Sequence, residues 1–171
     1  NVTCASEVSA MTPLSASDGC GNTISVPGSD VITAGSCPNS FTIVRTWTAV
    51  DPCGYTISAS QTINVNDTVA PTFVETLPSN VTVECSAVPT AVVLTATDNC
   101  GTATVAFTET TTAGTCAGSY ILTRTWIATD LCGLTATHIQ TITVQDTTVP
   151  TFVETLPTNV TVECSAVPTA P

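Results

Sequence analysis

The chain has 171 residues, 43% of them hydrophobic and only 5% aromatic, and a formal net charge of −11 with two Arg and no Lys. A surface so poor in cations cannot neutralise phosphates, which argues against nucleic acid and anionic membrane as partners. No apolar run approaches the length of a membrane-spanning helix, so we expect no membrane insertion in this segment. Threonine and valine dominate and suit pleated, half-buried surfaces, so the composition predicts an all-β protein.

A long internal repeat organises the chain. Residues 67–90 return at 146–169 with few substitutions, and Arg45-Thr46-Trp47 returns as Arg124-Thr125-Trp126 at the same offset. Self-similarity at such a long period is typical of an array of one module in which each copy contacts mainly its neighbours. The predicted units are a repeat that lacks its opening segment (1–66), a complete repeat (67–145), and the opening segment and strand A of a third repeat (146–171).

In chain order, the first repeat reads as short strands separated by turns. Residues 1–4 are the tail of strand A, and short strands follow on both sides of Pro27-Gly28. The longest strand is predicted at 41–50 and its returning partner at 55–65. The residues between them form a hairpin turn that needs Gly54 for its backbone angles.

The second repeat follows the same plan after an extended, Pro-punctuated lead-in at 71–78. Its strands are predicted at 80–85, 91–97, 102–109, 119–129 and 134–144, with a short edge strand within 110–118. About seven short strands in a unit of this size predict an immunoglobulin-like β-sandwich, without any helix. The predicted fold is therefore a series of tandem immunoglobulin-like modules with two disulfides each.

Nine cysteines recur with the repeat and are almost evenly spaced within each module. There is no Cys-x-x-Cys pair and only one His, so the spacing favours disulfides over zinc and an oxidising, extracellular location. In a sandwich of this class, the end of strand A and the start of strand F lie at one pole, and the B–C and F–G loops lie at the opposite pole. The predicted pairs are Cys85–Cys116, Cys100–Cys132, Cys4–Cys37 and Cys20–Cys53, with Cys164 unpaired by truncation. Sequential pairing (85–100, 116–132) remains the alternative.

The repeated Arg-Thr-Trp motif has two interpretations. In the structural one, Trp47 and Trp126 fill or cover the sandwich core, while Arg45 and Arg124 lie along an aromatic ring or reach a carboxylate such as Glu84. In the functional one, an exposed Arg/Trp pair binds glycans. The recurrence of the motif at the same strand position favours the structural interpretation.

Acidic residues cluster at the predicted turns. Asp98 and Asn99 of one loop, Asp130 of another and the junction residue Asp67 are expected to share the N-terminal pole of the second repeat. Calcium takes six to eight oxygen ligands, so these residues are a candidate calcium site at the junction. The alternative is that Asp serves as a turn residue with a solvated charge. No cofactor is required, and calcium is the one that these residues could bind.

Catalysis has little support in the sequence. His138 is the only histidine, and its counterpart in the first repeat is Ala59, so we expect an exposed strand residue, no catalytic residues and no enzyme. Thr68 and Thr147 follow Asp in short sequences that resemble the O-glycosylation sites of Bacteroidetes-type bacteria. These two threonines are therefore candidate glycosylation sites.

Several recurring motifs together resemble HYR-like repeats: Asp-Thr-Thr-Val-Pro-Thr-Phe from Asp146, Asn-Val-Thr-Val-Glu-Cys from Asn80, Ala-Thr-Asp-Asn-Cys-Gly from Ala96 and Tyr-Ile-Leu-Thr-Arg-Thr-Trp from Tyr120. Such modules occur in tandem in giant surface proteins that gliding bacteria export through type IX secretion. The resemblance implies immunoglobulin-like domains in adhesin stalks, gliding adhesins or filamentous appendages of the grappling-hook kind. It transfers no ligand-binding residues.

The predicted function is therefore a structural segment of a long extracellular adhesin or filament at the cell surface. Its partners would be neighbouring repeats of the same chain and other copies of the chain in a bundled filament. The alternative is a carbohydrate- or protein-binding module whose repeats act by avidity. An exposed Arg124/Trp126 patch would favour binding, and a buried one would favour the scaffold.

Overall fold

A computed structural model of the chain describes residues 1–156 and 158–166, and it is all-β, as predicted. The only helical elements in these ranges are two short 3-10 turns, Ala5–Glu7 and Cys85–Ala87, which the prediction of no helix had missed. No helix in this part of the chain has the length and apolar character needed to cross a membrane. The strands are β1 (Leu14–Ser17), β2 (Thr23–Val26), β3 (Gly28–Ala34), β4 (Ser40–Val50), β5 (Thr56–Asn66), β6 (Thr72–Phe73), β7 (Val81–Val83), β8 (Ala96–Thr97), β9 (Thr104–Ala113), β10 (Tyr120–Thr129) and β11 (Thr135–Val144).

The second repeat consists of a four-stranded sheet and a small second layer. The sheet order is β7-β11-β10-β9, with β7 parallel to β11 and the other pairs antiparallel, while β6 pairs with β8. Side chains alternate between the two faces of a strand, so every second residue of β10 and β11 points into the core. The core residues on these two strands are Leu122, Trp126, Ala128, Ile142 and Val144.

The first repeat has a similar arrangement with one strand fewer in its sheet. Its sheet has the order β3-β4-β5, and the hairpin β1-β2 forms the second layer. Val2 bridges Val65 in parallel, as Val83 does Val144 in the second repeat. Cys4 follows Val2 at the same interval at which Cys85 follows Val83, so the two cysteines occupy equivalent places.

One face of the sheet is covered in the second repeat and open in the first. The lead-in lies over β11, where Gln140 Nε2 donates to the carbonyl of Ser79 at 2.9 Å. The first repeat begins at Asn1, one residue before Val2, and has no such segment in this sequence. Trp126 is consequently buried, whereas Trp47 is only half-buried.

Two strand predictions needed correction. The predicted strand at 102–109 and the edge strand within 110–118 are one strand, β9, which turns at 114–119 into β10. Of the predicted strand at 91–97, only Ala96–Thr97 is assigned, because β6, its antiparallel partner, is equally short. A strand extends only as far as its partner offers hydrogen bonds.

The predicted third repeat starts with a turn like that of the second. Thr148 N–H donates to Asp146 Oδ1 at 2.9 Å, as Val69 N–H does to Asp67 Oδ1 at 3.2 Å. No strand is assigned within 146–156 or 158–166, where the counterpart of β11 that would pair with strand A is missing from the sequence. Pro157, in the predicted lead-in, and 167–171, at the end of this unit, lie outside the described residues.

Candidate functional site: the junction between the repeats

Each repeat carries two cysteines at each of its ends. In the second repeat, Cys100 lies between β8 and β9 and Cys132 in the β10–β11 turn, at what we call the leading end. Cys85 follows β7 and Cys116 lies between β9 and β10, at the trailing end. This distribution between two poles is the one predicted from the topology.

The two disulfides of the structure cross the junction between the repeats. Cys4 is bonded to Cys100 with a Cα–Cα distance of 5.1 Å, and Cys37 to Cys132 with a Cα–Cα distance of 5.0 Å. Both distances lie within the usual range for a disulfide. The predicted pairs Cys4–Cys37 and Cys100–Cys132 are therefore wrong. The trailing end of the first repeat faces the leading end of the second, so each cysteine meets a partner across the junction.

The other five cysteines are exposed and unbonded in the described part of the chain. The predicted pairs Cys20–Cys53 and Cys85–Cys116 do not form, and neither do the sequential pairs of the alternative. Cys20 and Cys53 lie at the leading end of the first repeat, and Cys85 and Cys116 at the trailing end of the second. These four cysteines occupy the same positions within their repeats as the bonded cysteines do, but at the two outer ends, away from the junction between the repeats. Cys164 belongs to the third unit.

An aspartate holds each leading-end cysteine in place. Asp98 Oδ1 accepts from the Cys100 N–H at 2.8 Å, and Asp130 Oδ1 accepts from the Cys132 N–H at 2.8 Å and the Leu134 N–H at 2.9 Å. In the second of these turns, Gly133 has φ +85°, a conformation that favours glycine. The four Asp-x-Cys-Gly sequences of the chain are therefore turns that present a cysteine, in agreement with the turns and loops predicted there from the sequence.

Two asparagines add polar contacts across the junction. Asn39 of the first repeat donates from its side-chain Nδ2 to the backbone carbonyl of Cys100 at 3.0 Å. The backbone carbonyl of Asn39 accepts from the Asp67 N–H at 3.2 Å. Asn99 Nδ2 lies 2.9 Å from the sulfur of Cys4. Sequence reasoning missed Asn39, because its counterpart in the second repeat is Gly118 and the position carries no repeat signal.

The aspartates of the predicted calcium site lie at the leading end of the second repeat. The side chains of Asp67 and Asp130 are buried, with 5% and 8% of their surface exposed, and Asp98 is half-buried. Oδ2 of each has no hydrogen-bond partner among the described residues. Ligand atoms of Asp67, Asp98 and Cys100 lie within 4.8 Å of one another, and Asp130 does not belong to that group.

In the first repeat, both carboxylate oxygens of the aspartate in the equivalent turn accept hydrogen bonds. Asp18, the counterpart of Asp98, accepts from Asn22 Nδ2 on its Oδ2 at 2.8 Å, and from the Cys20 and Asn22 N–H groups on Oδ1. The Asn22 side chain, followed by its backbone N–H, lowers the pKa of Asp18 below the ordinary value. In the second repeat Thr102 replaces Asn22, and Oδ2 of Asp98 loses that partner.

The Arg-Thr-Trp motif of the second repeat joins the two layers of the sandwich. Arg124 Nε contacts Glu109 Oε2 at 2.8 Å, and its Nη2 donates to the carbonyl of Pro89 at 2.8 Å. Trp126 Nε1 donates to the carbonyl of Val92 at 3.2 Å. Only 4% of Arg124 and 1% of Trp126 is exposed, so the motif offers no surface to a glycan.

The first repeat makes the equivalent contacts. Arg45 pairs with Asp30 at 3.2 Å and donates to the carbonyl of Ser9 at 2.7 Å, while Trp47 Nε1 donates to the carbonyl of Thr12 at 3.1 Å. The carboxylate partners are thus Asp30 and Glu109, on the neighbouring strand, and not Glu84 as expected.

Glu84 contributes to the next junction instead. Its carboxylate accepts hydrogen bonds from the backbone N–H and the hydroxyl of Thr147, one of the two candidate glycosylation sites. Thr68, the other candidate, is exposed at the first junction.

Two surface grooves lie on the uncovered face of the first repeat. One is lined by Leu14, Trp47, Ile57 and Ala59, among others. Ala59 corresponds to His138, which is half-buried in the second repeat and not exposed as predicted: its Nε2 lies 2.9 Å from the carbonyl oxygen of Pro78. The groove thus corresponds to the surface that the lead-in covers in the second repeat. A ligand could not bind at the equivalent place in that repeat.

The chain resembles a known family in its first repeat. Residues 1–65 match the HYR-like domain with 4 cysteines, and HYR is a family of immunoglobulin-like domains. A domain of this kind indicates an extracellular, adhesion-type repeat module. No curated protein is significantly similar to the chain.

Proposed function

We propose that this chain is a structural segment of a long extracellular bacterial adhesin or filament. Its immunoglobulin-like repeats would supply reach, and disulfides between repeats would keep the array from lengthening under load. The observation that carries the proposal is the crossing of the junction by both Cys4–Cys100 and Cys37–Cys132. The role is mechanical and needs no catalytic residue.

Disulfides at the junctions change the mechanics of an array. A complete repeat such as 67–145, if it had no crosslinks, would lengthen to about 270 Å when unfolded. With bonds at both ends, tension passes through the shortest covalent path, such as the segment from Cys116 to Cys132. That path extends to only about 55 Å. An unfolded repeat would therefore add little length, and it would stay tethered for refolding.

The proposal extends the same bonds along the array. Cys85 and Cys116 would bond the leading-end cysteines of a following repeat, and Cys20 and Cys53 the trailing-end cysteines of a preceding one. All four are exposed, and each occupies the position of a cysteine that is bonded at the junction described above. The first partners of each repeat are thus its neighbours in the same chain.

Stiffness and assembly complete the proposal. The contacts of Asn39 and the burial of Pro71 in the connection restrain the angle between the repeats. Surfaces that recur with every repeat could also pack side by side, so we include bundling of several copies. The resemblance to HYR-like repeats supplies the proposed context, export by gliding bacteria through type IX secretion to the cell surface.

Burial of the Arg-Thr-Trp motif supports this role over a carbohydrate- or protein-binding module. A binding site repeated for avidity needs the same exposed side chains in each copy. Arg124 and Trp126 are buried and hydrogen-bonded within the sandwich.

Single-molecule stretching tests the proposal. In a variant with C20S, C53S, C85S, C116S and C164S, only the four junction cysteines remain. The oxidised variant, pulled from its ends, should lengthen about 340 Å less than the reduced one, because Cys4–Cys100 removes 96 residues from the path.

Bonds within each repeat predict a different length. Cys4–Cys37 together with Cys100–Cys132 would shorten the path by only about 220 Å, since the two loops are much smaller. That value, or no difference between the oxidised and reduced variants, would contradict the proposed role.

A further inference from the structure

We propose that the junction binds one calcium ion between Asp67 and Asp98. Asp67 lies in the connection that follows β5, and Asp98 precedes the bonded Cys100. The ion would therefore tie the connecting segment to the loop that carries the disulfide. This inference rests on the carboxylates alone and not on the mechanical role proposed above.

The electrostatics of the junction call for a cation. Three carboxylates each bury an oxygen that has no hydrogen-bond partner among the described residues, and two of them lie within 4.8 Å. Burying a charge without a counterion is costly, and like charges at this distance repel. The only two cationic side chains of the sequence, Arg45 and Arg124, are paired with Asp30 and Glu109. No Lys or Arg side chain is therefore left to neutralise the cluster.

Asp67 and Asp130 are not ordinary acidic turn residues. Each uses Oδ1 to accept a backbone N–H of its own turn, which fixes the carboxylate and leaves Oδ2 buried. An exposed turn aspartate would instead be solvated on both oxygens. The side chains are thus held with a bare oxygen inside the junction, as a metal ligand must be.

The donor atoms select the ion. The third member of the close group, Cys100, is bonded to Cys4 and offers no thiolate, so the available donors are oxygens. Carboxylate oxygens suit hard cations, whereas zinc prefers nitrogen and sulfur. Calcium tolerates irregular sites of six to eight oxygens, with water completing its shell, while magnesium demands a near-octahedral one.

The repeats provide an internal comparison. In the first repeat, which has no preceding junction in this sequence, Asn22 satisfies Oδ2 of Asp18. In the second repeat the corresponding residue is Thr102, and Oδ2 of Asp98 is bare where Asp67 approaches. The site therefore arises only where a connection and a leading end meet.

Calcium titration of the oxidised, chelator-treated chain tests the site. We expect one ion per chain by isothermal titration calorimetry, and a higher unfolding midpoint in calcium than in EGTA. D67N and D98N should each weaken binding ~100-fold, because the affinity follows the number of ligand charges. D130N should weaken it by a smaller factor, because Asp130 lies outside the close group. D18N, the matched change outside the junction, should bind like the parent.

A measurement in EGTA keeps the test clear of misfolding. Without metal, D67N should be at least as stable as the parent, because it removes a buried, unpaired charge. The site is disproved if the parent shows no saturable binding, if magnesium binds equally well, or if D18N and D67N lose binding alike. If a proton shared between carboxylates took the place of the metal, calcium would change neither the heat of titration nor the unfolding midpoint of the unsubstituted chain. That result would also disprove the proposal.

Discussion

Cys4 and Cys100 lie in different repeats, 96 residues apart in the sequence, and a disulfide brings their Cα atoms to 5.1 Å. Cys37 and Cys132 repeat the relationship on the other side of the same junction. Two covalent bonds between neighbouring modules restrain both their separation and their relative rotation. The junction is therefore covalently constrained, whereas relative motion of neighbouring domains is the usual expectation.

Trypsin digestion of the variant that retains only Cys4, Cys37, Cys100 and Cys132 should confirm the pairing. The chain has no Lys, so trypsin cleaves the denatured, unreduced protein only after Arg45 and Arg124. Cys4–Cys100 and Cys37–Cys132 would hold all three fragments together. Bonds within each repeat would instead release fragment 1–45 by itself. Mass spectrometry separates the two results, and the reduced sample, which must yield three fragments, is the control.

Trp126→Ala should destabilise the second repeat by about 3–5 kcal/mol, as truncation of a large core residue does. Trp47→Ala should cost the first repeat clearly less, because its ring is only half-buried. Denaturant unfolding followed by the fluorescence of the remaining tryptophan shows whether the other repeat is unaffected. Equal losses from the two substitutions would show that the lead-in does not cover Trp126 as described.

Acid should weaken the turn at Asp18. The side chain and N–H of Asn22 hold the pKa of Asp18 below 3.8 in the folded protein, so folding favours the carboxylate. This contribution to stability is complete above 3.8, the value expected in the unfolded chain, and is lost as the pH falls through the lower folded value. An NMR titration should show a raised pKa of Asp18 in Asn22→Ala. An unchanged pKa in that variant would mean that Asn22 is not the cause.

Much of the fold could be read from local patterns. The alternation of apolar residues along β10 and β11 places Trp126 and Ile142 in the core, because side chains of a strand alternate between two faces. The Asp-x-Cys-Gly turns and the position of each cysteine at an end of the module follow from turn chemistry and strand order. Asp67, Asp98 and Asp130 were likewise expected at one pole.

Contacts between distant residues could not be read in this way. Arg124 was expected to find a carboxylate, but only the register of β9 against β10 selects Glu109 over Glu84. Asn39 has no repeated counterpart, so its contact with Cys100 depends wholly on how the repeats meet. The approach of Asp67 to Asp98, and the contact of Asn99 with the sulfur of Cys4, depend on the same geometry.

Periodicity and composition are enough to identify a tandemly repeated, disulfide-bonded β-sandwich, because both act within each module. The choice of which cysteines bond depends on how the folded modules meet. Four cysteines at nearly equal spacing are compatible with disulfides within a repeat and with disulfides between repeats. A cysteine bonds the partner whose Cα atom the fold brings to about 5 Å from its own. Only the meeting of two folded ends shows that this partner belongs to the neighbour.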